Sequence, residues 1–345
     1  MIGFWYAVVS VMLAIYVALD GFDFGAGALH LFVARTDRER REVLAAIGPL
    51  WDGNEVWLLA GGGVLFFAFP AAYAAGFSGF YLPLMLVLWL LILRGISIEL
   101  RSHLESPLWR ALWDAVLCGA SALMAVVLGA ALGNVLRGVP LDASGTFLAP
   151  WFTSFGVRGQ AGVLDWYTVL LGVFALVALC AHGALFLVWR TEGPVRERSL
   201  RAAAVLWPLV AAIGVLAILA TGWVRPSIYA ALAARPWAWP LALLAAAGFV
   251  GAFAFRIRGR ELPAFLASAV FLVGTLAATA AGFYPAMLPS TLDPAWSVTA
   301  QSAAASDHGL RVGLAWWGIG FPLAVLYTAY VYRTMRGKAR VEQLH

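Results

Sequence analysis

An apolar run from Ile2 to Ala34 is interrupted by two aspartates, Asp20 and Asp23, in the stretch LDGFDFGAGALH. The run is long enough to cross a bilayer, which takes about 20 apolar residues. A charge near the middle of a bilayer costs at least ~2.5–3.5 kcal/mol, so such residues face a protein interior or a wet cavity. Any fold for this chain must therefore enclose two carboxylates that share one helical face, three positions apart. Composition points the same way: 63% of the 345 residues are hydrophobic, 12% are charged, and the mean hydropathy is +0.86. Soluble domains carry about 25% charged residues. The 16 Trp and 35 Gly suit membrane interfaces and close helix packing. The expected class is an all-α polytopic membrane protein.

Nine apolar segments are expected to span, at about 3–33, 50–73, 79–98, 111–136, 163–189, 202–222, 237–255, 262–283 and 309–332. With the N-terminus outside, 18 of the 23 Lys and Arg fall in inward loops and the C-terminal tail. That split predicts a cytoplasmic C-terminus. It also accounts for the pI of about 9.5 without nucleic acid, because the basic residues are dispersed through short loops. The first segment lacks the basic start of a secretory signal and is expected to be retained. GALHLFVART (27–36) and GALFLVWRT (183–191) echo each other at the inward ends of the first and fifth segments. The echo predicts one membrane domain over 1–345, built from two four-helix units (1–137 and 163–283) plus a ninth helix (309–333).

Further ionisable groups collect toward the inner ends of the first four segments. In IGPLWDGNEVWLLAGGG, Asp52 and Glu55 are again three apart, with Asn54 between them. The third segment ends with Arg94, Glu99 and Arg101, and the fourth begins near Asp114. Asp20, Asp23, Asp52 and Glu55 are candidates for a proton path. Arg94, Glu99 and Arg101 are read as structural charge balance, and Asp114 as an interfacial residue. A structural ion-pair network that pins the four helices is the competing reading of the acidic residues. Gly21/Gly25 and Gly129/Gly133 form GxxxG pairs, and Gly61–Gly63 follow the second acidic pair; all are read as helix-contact positions.

Of five histidines, only His182 lies well within a segment, while His30 sits near an inner end. His182 is read as a packing residue, which leaves too few histidines for a set of haems. Cys118 and Cys180 are read as small buried hydrophobes. No P-loop, CxxC or HExxH motif is present, so no catalytic or metal-binding residue is assigned to this chain. A proton-coupled secondary transporter would also have buried carboxylates and glycine-rich helices, and is the alternative function.

ALDGFDFGAGAL, IGPLWDGNEVWLLAGGGVLFFAFPAAYAAGFSGFYLPL, RGISIELRS and the later HGALFLVWRTEG resemble subunit II of the cytochrome bd-type quinol oxidases. The likeness is closest over residues 15–105, and WDGNEVW is its most specific block. The resemblance implies a terminal respiratory enzyme of a bacterial or archaeal cytoplasmic membrane, which oxidises quinol and reduces dioxygen to water with protons drawn from the cytoplasm. It implies two b-type haems and one d-type haem on a partner, subunit I, where quinol and dioxygen react. It assigns the proton-entry role first to the position of Asp52, with Asp20 and Asp23 nearby. Some relatives have an amide at position 55, which weakens the case for Glu55 as a carrier. Small single-helix accessory subunits and a structural quinone are further features that the resemblance allows.

Overall fold

A computed structural model describes residues 1–153 and 155–339. Its helices are α1 (Ile2–Val33), α2 (Asp37–Ile47), α3 (Trp51–Ala68), α4 (Pro70–Gly79), α5 (Tyr81–Leu100) and α6 (Pro107–Arg137). There follow α7 (Trp166–Arg190), α8 (Gly193–Val224), α9 (Ser227–Ala233), α10 (Trp239–Ile257), α11 (Glu261–Phe283), α12 (Ala300–Ala303) and α13 (Asp307–Thr334). Among the described residues the strands are β1 (Ala286–Leu288) and β2 (Val298–Thr299), which pair antiparallel. The helices outrun the apolar segments at several ends because local capping carries them on. Ser106 caps α6 just ahead of Pro107, and α8 begins at Gly193 with a proline in its first turn.

Among the described residues, eight helices are long and apolar enough to cross a bilayer: α1, α5, α6, α7, α8, α10 with the turn before it, α11 and α13. The expected segment 50–73 is not a single rod. Helices α3 and α4 pass the same test only as a pair, and the chain bends by 119° between them. The cause is Pro70, which opens α4. A proline has no N–H for the preceding turn and pushes the residue before it out of the helical region. Phe69 accordingly sits at φ −135°, ψ 61°.

Helix α1 is the axis of the molecule, in contact with α3, α6, α7 and α11. Every residue from Asp20 to His30 is buried. A helix apolar on all sides belongs in a core, and here neighbours on every side seal the two aspartates. Helices α1 and α7 run parallel in close contact: a side chain at Gly21 would meet Leu179, and one at Gly25 would collide with the Leu179 carbonyl and with Gly183. Gly183, in the second of the echoing stretches, thus lies at the junction between the two halves of the chain, against Gly25 and Ala26, whereas Gly27 in the first faces Ser121 and Leu117 of α6. Gly129 and Gly133 receive α7 from the other side, against Leu171, Gly172 and Thr168. Gly61 lies against Leu13, but nothing approaches Gly62 or Gly63.

Between the first two spanning segments, where a loop was expected, lies the amphipathic helix α2. Val43, Leu44, Ala45, Ala46 and Ile47 are buried, and of the charged positions Arg38 is exposed while the rest are half-buried. Thr36 and Glu39 form a capping box at its start. Arg198 of α8 donates to the Glu39 carboxylate at 2.7 Å, which clasps α2 to the second half of the chain. That hydrogen bond, helped by the amides of Arg35 and Thr36, lowers the Glu39 pKa from its usual 4.5 to about 2.

Two expectations follow. Gly25→Leu, which drives a side chain into the α7 backbone, prevents recovery of assembled subunit from membranes, whereas Gly62→Ala leaves the yield unchanged. Because the carboxylate form of Glu39 is favoured in the fold, its contribution is complete above about pH 4.5 and is lost as pH falls through about 2. Amide-exchange protection of α2 should therefore persist below pH 4 in the native chain. In Arg198→Ala it should fade near pH 4–5.

Candidate functional site

Two polar nodes lie inside the helices, both built on the second half of α1. In the first, Arg94 of α5 is 1% exposed and donates to Asp20, which is fully buried. The other arm of Arg94 donates to Glu55 of α3 at 2.9 Å. Its guanidinium lies 4.4 Å above the Phe24 ring, a cation–π contact that holds the head in place. Asp23, one turn further along α1, accepts from Asn54 Nδ2 at 2.7 Å. Asn54 also donates to the Leu19 carbonyl, and its Oδ1 accepts from the Tyr332 hydroxyl of α13 at 2.9 Å. Asp20 Oδ2 and Asp23 Oδ1 are buried and meet no hydrogen-bonding group among the described residues. One guanidinium therefore faces Asp20 and Glu55 directly, with the Asp23 carboxyl behind them.

In the second node, Asp114 of α6 is fully buried, not interfacial. It accepts from Arg101 Nε at 2.5 Å and from Arg40 of α2 at 2.9 Å, and it pairs with His30 Nε2 at 2.7 Å. Arg101 also reaches Asp37 at 2.9 Å. This node staples α1, α2, the end of α5 and α6 together. Of the groups expected for charge balance, Arg94 and Arg101 are paired in the interior, while Glu99 is exposed at the end of α5.

The structure brings Asp20, Asp23 and Glu55 around Arg94 and Asn54, but Asp52 stands apart. Asp52 is exposed on the first turn of α3, with no ion pair among the described residues. A partly open cavity of about 10 Å³, room for roughly one water, lies beside that turn. Gly53, Asn54, Thr328, Val331 and Tyr332 are among its lining residues. Tyr332 went unnoticed in the sequence, where it is one aromatic among several at the end of an apolar segment. The Asp114 hub had a weak signal in an acid near the start of the fourth apolar segment.

His182 is fully buried between α1, α7 and α11. Its Nδ1 lies 2.6 Å from Ser268 Oγ and its Nε2 2.9 Å from the Ala18 carbonyl. Both ring nitrogens are thus engaged, so the residue does not fit an axial haem ligand. Among the described residues no three His, Cys, Asp or Glu are grouped to hold a metal ion. His345 lies outside the described residues. Cys118 donates to the Ala28 carbonyl at 3.1 Å and Cys180 is buried, and both are free thiols.

These features define a multi-pass helical membrane protein with an internal, incompletely balanced charge network. A family profile described as cytochrome bd terminal oxidase subunit II matches residues 1–335. A probable cytochrome oxidase subunit 2 of Haemophilus influenzae is 32% identical, with 97% of this chain and 94% of that protein covered. The cytochrome bd-I ubiquinol oxidase subunit 2 of Escherichia coli is also 32% identical, over 99% of this chain and 95% of that one. The cytochrome bd ubiquinol oxidase subunit 2 of Bacillus subtilis is 31% identical over 89% and 88%. The fold is similar to a chain in the structure of bd oxidase from Geobacillus thermodenitrificans, with a TM-score of 0.74 at 17% identity, covering 96% of this chain and 98% of that one. The chain belongs to the cytochrome bd terminal oxidase subunit II family. It is one subunit of an oxidoreductase complex, and the carrier alternative gives way.

Removing one partner from a buried ion pair leaves an uncompensated charge, at a cost of about 3–5 kcal/mol, whereas replacing both partners with apolar groups is often neutral. Arg94→Leu is therefore expected to destabilise the subunit by about that amount, and Asp20→Leu/Arg94→Leu to recover most of it. Thermal unfolding of the detergent-solubilised complex, followed by subunit retention, checks both.

Proposed function

We propose that this chain is the haem-free partner of a haem-bearing subunit I in the cytoplasmic membrane of a bacterium, and that its interior carboxylates carry protons toward that partner. The reaction served is quinol oxidation coupled to reduction of dioxygen to water; two of the relatives are named for ubiquinol. The observation that carries the proton role is the imbalance at Arg94. One guanidinium can balance one carboxylate at a time, yet Asp20, Asp23 and Glu55 surround it or its neighbour Asn54. Surplus acids away from bulk water must take up protons or be hydrated. Asp20 and Asp23 each also have an oxygen that meets no hydrogen-bonding group among the described residues. Asp52, exposed at the start of α3, suits the role of entry group, from which a proton would pass inward.

Nine spans, with the N-terminus outside, follow if the bent α3–α4 pair is counted as one crossing. The skewed arginine distribution favours that orientation, because the second node, α2 and the C-terminal tail then all lie on the cytoplasmic side. The assignment of the haems to subunit I is what the family resemblance implies, and the engagement of both His182 nitrogens agrees with it. Exposed Asp52 on α3 and Glu99 on α5 are costly against lipid, which favours a protein partner over that surface.

Asp52→Asn and Asp20→Asn in the assembled oxidase test the proton role. Quinol-driven oxygen uptake should fall roughly tenfold or more, the scale of losing a positioned proton-transfer group, while reduced haem bands stay intact. Unchanged oxygen uptake together with unchanged proton uptake in both variants rules the role out.

A further inference from the structure

The link between the cavity and Asp23 is not a proton wire. A wire needs groups that both accept and release protons, such as carboxyls, hydroxyls or water. Asn54 stands in the way: its side-chain amide carries two N–H donors and a carbonyl acceptor and does not titrate. All three capacities are used, toward Asp23 at 2.7 Å, the Leu19 carbonyl at 3.2 Å and the Tyr332 hydroxyl at 2.9 Å. Asn54 is 1% exposed, Asp23 behind it is also 1% exposed, and the cavity touches Asn54 and Tyr332 from the other side.

We infer that Asn54 and Tyr332 form a gate, closed in this structure, between the cavity beside α3 and the Asp23 carboxyl. The inference rests on the proton-path reading and adds the step that limits entry to Asp23. Rotation of the Asn54 side chain breaks its contact with Asp23 and lets a water from the cavity take that place. The Tyr332 hydroxyl opposes the rotation by anchoring Asn54 Oδ1. Tyr332 is therefore a positioning residue, and its own position is set at the end of α13. There Arg190 of α7 holds the Met335 and Gly337 carbonyls, and Lys338 reaches Glu261 at 2.8 Å. Thr328, one turn before Tyr332, accepts from Trp57 at 3.3 Å, which keeps α13 against α3 across the cavity.

The test uses the intact oxidase in proteoliposomes, with proton uptake followed by a pH dye during a single turnover and haem spectra as the control for assembly. Tyr332→Phe removes the anchoring hydroxyl and keeps the ring, and Asn54→Ala removes the amide altogether. Loss of one such hydrogen bond shifts an open–closed balance by about threefold to tenfold. Both variants are expected to speed uptake by about that factor, and the gain should vanish when Asp23→Asn is added. A mere tie between α3 and α13 would lower the yield without speeding uptake. Uptake unchanged or slowed in both variants, with normal haem spectra, overturns the gate. So does a gain that persists without the Asp23 carboxyl. If Asp23→Asn alone leaves uptake unaltered, the path through Asp23 falls, and the gate with it; a slowed Asp23→Asn beside unaltered gate variants removes the gate alone.

Discussion

The contact on which this fold depends is the one between Arg94 and Asp20, sealed among α1, α3 and α5. Ions withdrawn from water lose hydration that only close pairing offsets, so a helix bearing Asp20 is tolerated in this interior because another supplies Arg94 opposite it. Position matters as much as charge. Phe24 packs beneath the guanidinium, and its second arm goes to Glu55. Without that arrangement, a fully buried stretch of α1 would carry the groups least suited to burial.

The same constraint explains why α1 is wrapped on all sides from Asp20 to His30. Gly21 and Gly25 let α7 come within backbone contact, and Gly129 and Gly133 let α6 do the same from the other face of α7. Small residues are the usual means of close packing between helices in lipid, where no hydrophobic force drives association. Here they also bring α7 tightly against α1 beside the aspartates, which are 0–1% exposed. A second staple around Asp114 closes the far end of α1 with His30, Arg40 and Arg101. The outcome is a closely packed core that bears charge.

For a terminal oxidase subunit, that organisation has a chemical use. Dioxygen reduction consumes protons, and an oxidase complex needs them delivered without opening a continuous leak across the membrane. A carboxylate store behind a non-titratable amide would meet both demands, with Asp52 outside and Asp23 inside. The bend at Pro70 belongs to the same design, since it turns α4 away from α3 and leaves the acid-bearing first turns of α3 on a single straight helix.

Much of this molecule was legible in its residues. Hydropathy located the spanning segments, since lipid leaves the backbone no choice but helix, and the four quoted motifs carried the family resemblance. Asp20, Asp23, Glu55 and Arg94 announced themselves as charges where charges are expensive. The partners of those charges were a different matter. Tyr332 lies 278 residues from Asn54, Asp114 lies 84 from His30, and no spacing rule connects such pairs. Helix α2 was hidden because a short polar helix is held by capping and packing rather than by hydropathy. The separation of Asp52 from the buried acids was equally unreadable, because two acids on one helical face are told apart only by the helices packed against each of them. Local composition determined that the chain is helical, membrane-bound and internally acidic. Only the three-dimensional packing decided which acids are sealed, which cation each one meets and where water can approach them, because those depend on helices brought together from distant parts of the chain.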